Sequence, residues 1–425
     1  MRAGLGMAEG ERPSYRKVLS NRSTLFLWIG ELVSQSGDYV FAIALPWLVL
    51  LQTHSAFYVS LTVAVSWVPL LLSTITGVYV DRINRKTSVI LGNVVQCGAA
   101  VTMAALYAAG ILGLPVLLVL VFFLYFFDQF VSTAIDAMLP RMVQGKGELG
   151  AVNALFSISS SSNRIAGYIV GGAVIALVGV AVPILYDGTT FLFAALVTLA
   201  FVSAAYGRVQ RERPEEATVG PGRGSFRADF AEGVRFVRNN RLFVELTAVV
   251  TVFNFFSGGT SALIAPYVAD SLHLGSLGFG IMVSAVGAGG IVGSYAFGKI
   301  NARGYVGRLF FAMALLIAVA TMVMGLLPSF YVALSMLFVF GLAGTLVNLP
   351  VTTLIQAKVP NEMLGRVFSV LVTFMNGAGP VAAIVAGGIA VAVSTQAVFA
   401  YFGLGLVLTV VLSYSTLGEL RSASY

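Results

Sequence analysis

Three polar side chains interrupt an apolar run near the start of the chain, LFLWIGELVSQSGDYVFAIALPWLVLL: Glu31, Gln35 and Asp38, with Ser34 and Ser36 between them. On a helix turning about 100° per residue, Gln35 falls about 40° from Glu31 and Asp38 about 20° to its other side. The three therefore share one stripe, with Ser34 about 60° away. At about 1.5 Å per residue from Thr24, Glu31 lies about 10 Å along the helix and Asp38 about 21 Å. If this helix crosses a hydrocarbon core of about 30 Å, an unpaired carboxylate in it costs at least about 2.5–3.5 kcal/mol. Such groups must face a watery cavity, pair with a cation or be held as neutral acids. A carboxyl that loads a proton on one side and releases it on the other is a proton carrier.

Few other side chains could join that chemistry. Arg164 is the one cation inside an apolar run and the natural partner of Asp38 and Glu31. The two readings of that pairing are an exchange of partners during a working cycle and a permanent ion pair between two helices. Asp128, beside Gln129 in VFFLYFFDQF, is either a second protonation site or a packing hydrogen bond. Glu245 reads as interfacial, and Asp187 has no assigned role. His54 and His273 fall in outward loops and read as loop residues. Tyr39, Trp47, Trp67, Phe255 and Phe374 could line an apolar pocket, with Asn254, Asn348 and Asn376 as polar, uncharged lining. No phosphate-binding glycine loop, metal-spaced His/Cys cluster or nucleophile elbow occurs, so neither an enzyme nor a cofactor or metal protein is expected.

The elements that must position these groups are membrane helices. The chain is 58% hydrophobic and 10% charged, with mean hydropathy +0.91, whereas a soluble domain carries about 25% charged residues. Twelve apolar runs of spanning length occur, roughly at 25–51, 56–80, 87–110, 115–138, 151–178, 183–206, 242–268, 276–297, 306–327, 329–354, 366–392 and 396–417. Runs this continuous are helices, because barrel strands alternate over about ten residues. With loops assigned alternately to two sides, every Lys and Arg except Arg164 falls on the side of the N-terminus. This positive-inside pattern places both termini in the cytoplasm. It also accounts for the net charge of +7 without a nucleic-acid partner. Cys97 stands alone, no cleavable signal peptide is evident, and either Met1 or Met7 could be the start.

The hydrophilic stretch 207–240 divides six spans from six. The predicted organisation is a cytoplasmic tail 1–22, a bundle 23–206, a linker 207–240, a second bundle 241–417 and a tail 418–425. Within the linker, Phe226, Phe230, Val234 and Val237 recur at helical spacing. That helix could lie on the inner leaflet or pack on the protein's own cytoplasmic face. The halves echo one another: ELGAVNALFS…GYIVGG, from Glu148, resembles MLGRVFSVLV…AAIVAGG, from Met363. Duplicated six-helix halves holding substrate near the midplane are a common transporter design. Gly167/Gly171 and Gly289/Gly293 would let helices approach closely.

GVYVDRINRKT, Gly77 to Thr87, resembles the cytoplasmic loop signature of the major facilitator superfamily through Gly77, Asp81, Arg82, Arg85 and Lys86. Asn84 stands where that family usually has Gly, a mild departure because Asn tolerates a left-handed turn. The motif would act as a cytoplasmic latch, Arg82 or Arg85 pairing with Asp136 at the end of the fourth span. VSQSGDYVFAIALPWLVL, NRIAGYIVGG and LGRVFSV look like the branch containing macrolide-efflux and siderophore exporters. Two departures stand out: Asp128 lies where many drug/proton antiporters carry Arg, and the second-half loop GKINARGYVGR lacks the Asp. The resemblance implies an all-α fold of twelve transmembrane helices in two pseudo-symmetric bundles. It implies a monomeric, proton-coupled exporter of amphipathic small molecules in the inner membrane of a prokaryote. A dedicated exporter of one metabolite, such as a siderophore or lysophospholipid, and a membrane sensor or scaffold are the alternatives.

Overall fold

A computed structural model describes residues 15–72, 83–143, 146–203, 206, 226–300 and 304–424. Of the latch positions, Gly77, Asp81 and Arg82 lie outside the described residues, as do residues 1–14 of the N-terminal tail and most of the linker. The chain is all-α. The first half contains α1 (Arg22–Thr53), α2 (Ala56–Leu71), α3 (Arg85–Ala108), α4 (Leu114–Met142), α5 (Lys146–Val178) and α6 (Ala181–Phe201). After the linker helix α7 (Phe226–Asn239) come α8 (Arg241–Ala262), α9 (Ser276–Lys299), α10 (Val306–Leu326), α11 (Phe330–Lys358), α12 (Leu364–Ala392) and α13 (Thr395–Thr416). A last turn, α14 (Gly418–Arg421), follows. Among the described residues eleven helices are long and apolar enough to cross a membrane, and α2 is a shorter apolar helix. A helix meets the demand of such a setting because every backbone N–H and C=O is satisfied within it.

The helices gather into two compact units. The first comprises Met1–Phe41, Leu72–Gly167 and Ala181–Gln210; the second comprises Ala42–Leu71, Tyr168–Val180 and Arg211–Tyr425. Within the first, α3 packs along α4 and α6. Its core holds Phe130, Ala134, Ile135 and Met138 of α4 against Ala151 and Val152 of α5. Within the second, α10 packs along α11 and α13, and α8 and α2 both pack on α12. The third helix with the fourth and sixth is thus repeated as the ninth span with the tenth and twelfth, which is the internal echo of the sequence in structural form.

Helix ends are tied by side chains that the sequence carries at the right places. Asn84 adopts an extended conformation and caps α3, its Oδ1 accepting from the N–H of Lys86 at 3.0 Å. The residue therefore serves as an N-cap and not, as expected from its place in the motif, for left-handed tolerance. Asn21 donates to the Met142 carbonyl at 2.9 Å, and Ser23 to that of Phe201 at 3.2 Å, satisfying the ends of α4 and α6. Glu245, expected at an interface, is only 5% exposed. It accepts from Arg241 Nε at 3.0 Å and from the Leu420 N–H at 2.9 Å, fastening α14 to α8. His54 and His273 both follow helix ends with positive φ, 46° and 54°. Burial pushes the Asp270 carboxyl up, while the adjacent His273 and His54 pull it back.

The two readings of the linker helix are resolved in favour of packing on the protein. Val237 is buried, and Phe230 and Val234 lie against the cluster of Phe243, Val367 and Val370. A Cβ at Gly233 would stand 2.7 Å from the Arg366 carbonyl oxygen, so the contact is backbone to backbone. Arg366, in the LGRVFSV stretch, clamps the helix by Nη2 to Asp229 at 2.9 Å and Nη1 to Glu232 at 2.7 Å. Partly exposed pairs of this kind contribute up to about 1 kcal/mol each. Arg366→Ala should therefore leave the spans folded but speed limited proteolysis within 226–239; an unchanged cleavage rate would show the apolar contacts alone hold α7.

Candidate functional site

The faces of α1 on either side of the polar stripe meet α5, through Trp28 and Tyr39, and α6, through Gly30 and Gly37. Gln35 Nε2 donates to Glu31 Oε1 at 3.0 Å, as the 40° offset requires, and leaves the Gln35 Oε1 buried with no partner. Asp38, seven residues beyond Glu31, is half-buried. Four carboxyl groups fall on three helices of the first unit: Glu31 and Asp38 on α1, Asp128 on α4 and Asp187 on α6.

Arg164 does not join them. No ion pair links it to Asp38 or Glu31 among the described residues, and its side chain is exposed. The reason is the way α5 meets α1. Trp28 donates to Ser159 Oγ at 2.9 Å, Tyr39 Oη lies 2.9 Å from Ser160 Oγ, and Asn163 Nδ2 donates to the Leu32 carbonyl at 2.7 Å. Gly167 completes that face, since a Cβ there would stand 2.7 Å from Tyr39 Cβ. Residues 159, 160, 163 and 167 share a face, and Arg164 is rotated about a quarter turn from it.

Asp187, expected to have no particular role, is the acid that α6 sets against α1 at Gly37. It is 1% exposed, and neither carboxyl oxygen has a hydrogen-bond partner among the described residues. The nearby Thr190 hydroxyl donates to the Asp187 backbone carbonyl at 2.7 Å, not to the carboxyl. The contact exists because residue 37 is glycine: a Cβ there would meet Thr190 Oγ1 and stand 2.7 Å from Asp187 Oδ1. Gly30, one heptad earlier, opens the same seam, its Cβ position lying 3.6 Å from Ala194 Cα. The available signal was an acid at the fifth residue of the apolar run 183–206 together with a glycine immediately before Asp38.

The described part of the latch motif reaches helix ends. Arg85 Nη1 donates to the Ala137 carbonyl at 3.1 Å, one residue past the expected Asp136, which is itself exposed. Lys86 Nζ donates to the Leu199 carbonyl at 2.9 Å, a favourable place for a cation at the C-terminus of α6. Of the pocket residues, Trp47 is buried at 8% exposure and stacks on Phe279 with centroids 5.9 Å apart, which makes it core rather than lining. Trp67 packs against Gly258 and Gly379, and Phe255 stacks on Phe402 at 6.2 Å. Asn254 Nδ2 donates to the Met375 carbonyl at 2.8 Å, tying α8 to α12. Asn348, Phe374 and Asn376 are exposed, the two amides donating only within their own helices, to Gly344 and Val372.

A family model described as the Major Facilitator Superfamily matches residues 27–383. The chain belongs to that superfamily. This superfamily member is 29% identical over 400 residues to the multidrug efflux pump Tap of Mycobacterium tuberculosis, covering 92% of both chains. A second relative, BacE of Bacillus subtilis, is provisionally named for bacilysin export; it is 24% identical over 361 residues, or 81% of this chain and 83% of its own. Among solved structures, the nucleoside transporter NupG superposes with TM-score 0.74 at 10% identity, over 92% of this chain and 98% of that one. A bacterial homologue of the iron transporter ferroportin superposes with TM-score 0.70 at 16% identity, over 94% and 98%. At these identities the structures speak for the superfamily member's fold.

Proposed function

We propose that the protein exports amphipathic or hydrophobic small molecules from the cytoplasm by alternating access, in exchange for protons. The observation that carries this reading is Asp187, buried against Gly37 on the helix that bears Glu31 and Asp38, with neither carboxyl oxygen hydrogen-bonded among the described residues. Within apolar helices an uncompensated carboxylate is costly, so each such group needs a proton or a cation to stay. A transporter that must bind and release protons at mid-membrane needs side chains in that condition. Likeness to multidrug efflux pumps supports the substrate class and the outward direction. The same reading puts both termini in the cytoplasm of a prokaryote, with six spans on either side of the linker and a monomer as the working unit. Residues 77–86 with Asp136 serve as the inner latch.

The test is transport by the full chain in proteoliposomes with an imposed pH gradient, using ethidium as a fluorescent amphipathic probe. Gradient-driven movement that a protonophore abolishes is the expected result. Movement indifferent to the gradient would overturn the coupling, and no movement of ethidium or of other lipophilic drugs would overturn the substrate class. The likeness to BacE favours a second reading, export of one dedicated metabolite. That reading predicts flux for a peptide-like or lipid-like compound and none for ethidium.

A further inference from the structure

We propose that Arg164 seats an anionic group of the substrate, so that the protein takes amphiphiles carrying a carboxylate or a phosphate. The inference rests on the transport reading above and adds an acidic class to its substrates. Arg164 stands about 20 Å from either end of the apolar run 151–178, too deep for its side chain to snorkel to a membrane surface. That side chain is exposed, and among the described residues it makes no ion pair. A charge turned to hydrocarbon at such depth costs at least about 2.5–3.5 kcal/mol, so the face that bears it lines an aqueous path.

The rest of that face agrees. On α5, Asn153 and Ser157 fall within about 20° of Arg164, and Ser161 within about 60°. Asn153 and Ser157 are exposed, and Ser161 is half-buried. Ile158 and Ile165 lie about 100–120° round the helix, and Ile158 is exposed. Helix α5 thus turns an apolar face to lipid and a separate polar face to water. The edge toward α1 is closed by the hydrogen bonds of Ser159, Ser160 and Asn163. Serine hydroxyls in other spans turn back on their own backbone, as Ser66 does to the Val63 carbonyl at 2.7 Å and Ser284 to that of Ile281 at 2.7 Å. Those of Ser157 and Ser161 make no such bond among the described residues and are open to a ligand. A guanidinium presents paired N–H groups in a planar fork that fits two oxygens of a carboxylate or phosphate. With serine hydroxyls one and two turns before it and no acid on the same face, Arg164 is set to hold an oxyanion.

The experiment is saturation binding of dansylaminoundecanoic acid, a fluorescent anionic amphiphile, to the purified full chain in phosphatidylcholine nanodiscs, with empty discs subtracted. Its uncharged methyl ester is the control. The wild type should hold the acid at least about tenfold more tightly than the ester, as hydrogen bonds to a charged group require. Arg164→Gln should bring the acid down to the ester's affinity, and Arg164→Lys, which keeps the charge but not the fork, should fall between. Dodecyl phosphate should displace the acid and dodecanol should not. Equal wild-type affinity for acid and ester overturns the proposal without any variant, as does an Arg164→Gln protein that keeps the wild-type preference. Loss of acid binding when phosphatidylglycerol replaces part of the phosphatidylcholine would give the site to a bilayer headgroup and overturn the substrate role. Neither transport nor a pH gradient enters the measurement, so the two claims fail separately. Preference for the acid with no drug movement would sink the export reading alone, and gradient-driven ethidium movement with no such preference would sink the anionic site alone.

Discussion

Asp38→Asn should abolish the response of transport to a pH gradient while leaving the protein folded. The amide has nearly the shape of the carboxyl but neither takes up nor gives up a proton. No ion pair among the described residues involves Asp38, so no counter-ion is stranded and folding should not suffer. A one-proton exchanger working against a gradient of about two pH units can build roughly a hundredfold concentration ratio, at about 1.4 kcal/mol per tenfold. The variant should fall to a ratio of about one while still equilibrating the probe downhill. Glu31→Gln should lose less, because Glu31 already takes a hydrogen bond from Gln35. Arg164→Gln should also lose less, since the arginine is exposed and holds neither acid. An Asp38→Asn protein that still concentrates ethidium to the wild-type ratio would remove Asp38 from the coupling mechanism.

The helices were legible because a membrane leaves one solution for continuous apolar runs, and eleven of twelve runs reappear as long helices. The stripe on α1 was equally legible: the 100° turn alone puts Gln35 beside Glu31, and they are hydrogen-bonded. The partner across the helix interface was not. Residue type made Arg164 the obvious counter-ion, but the face that α5 turns to α1 is fixed by Ser159, Ser160, Asn163 and Gly167. Those are small polar or featureless residues, and periodicity does not distinguish them from lipid-facing ones. Asp187 acquires its importance only through Gly37, a contact between helices 150 residues apart in the chain. Asn84 shows the same limit on a local scale: cap and left-handed turn draw on the same residue type, and only the backbone angles separate them.

Gly341→Leu should have the largest effect on folding of any single change at a helix crossing. Helices α9 and α11 meet through three glycines. A Cβ at Gly341 would run into the Val286 carbonyl oxygen, and one at Gly289 into that of Phe338. A Cβ at Gly293 would stand 2.6 Å from the Leu342 carbonyl oxygen and 3.1 Å from Thr345 Cβ. The obstructing atoms are backbone, so no rotamer change relieves the overlap and the helices themselves must separate. Overpacking a well-filled core typically costs about 1–3 kcal/mol, and forcing two backbones apart along a whole crossing costs more. In a membrane, where helix association rests on close packing rather than on apolar transfer, that loss is not offset elsewhere. Folded yield and melting temperature should both drop sharply. Gly344, one turn along the same helix, has open space where its Cβ would go. Gly344→Ala should therefore be neutral or stabilise by up to about 1 kcal/mol, through helix propensity. Equal melting temperatures for Gly341→Leu and wild type would mean that α9 and α11 do not cross as closely as their glycines place them.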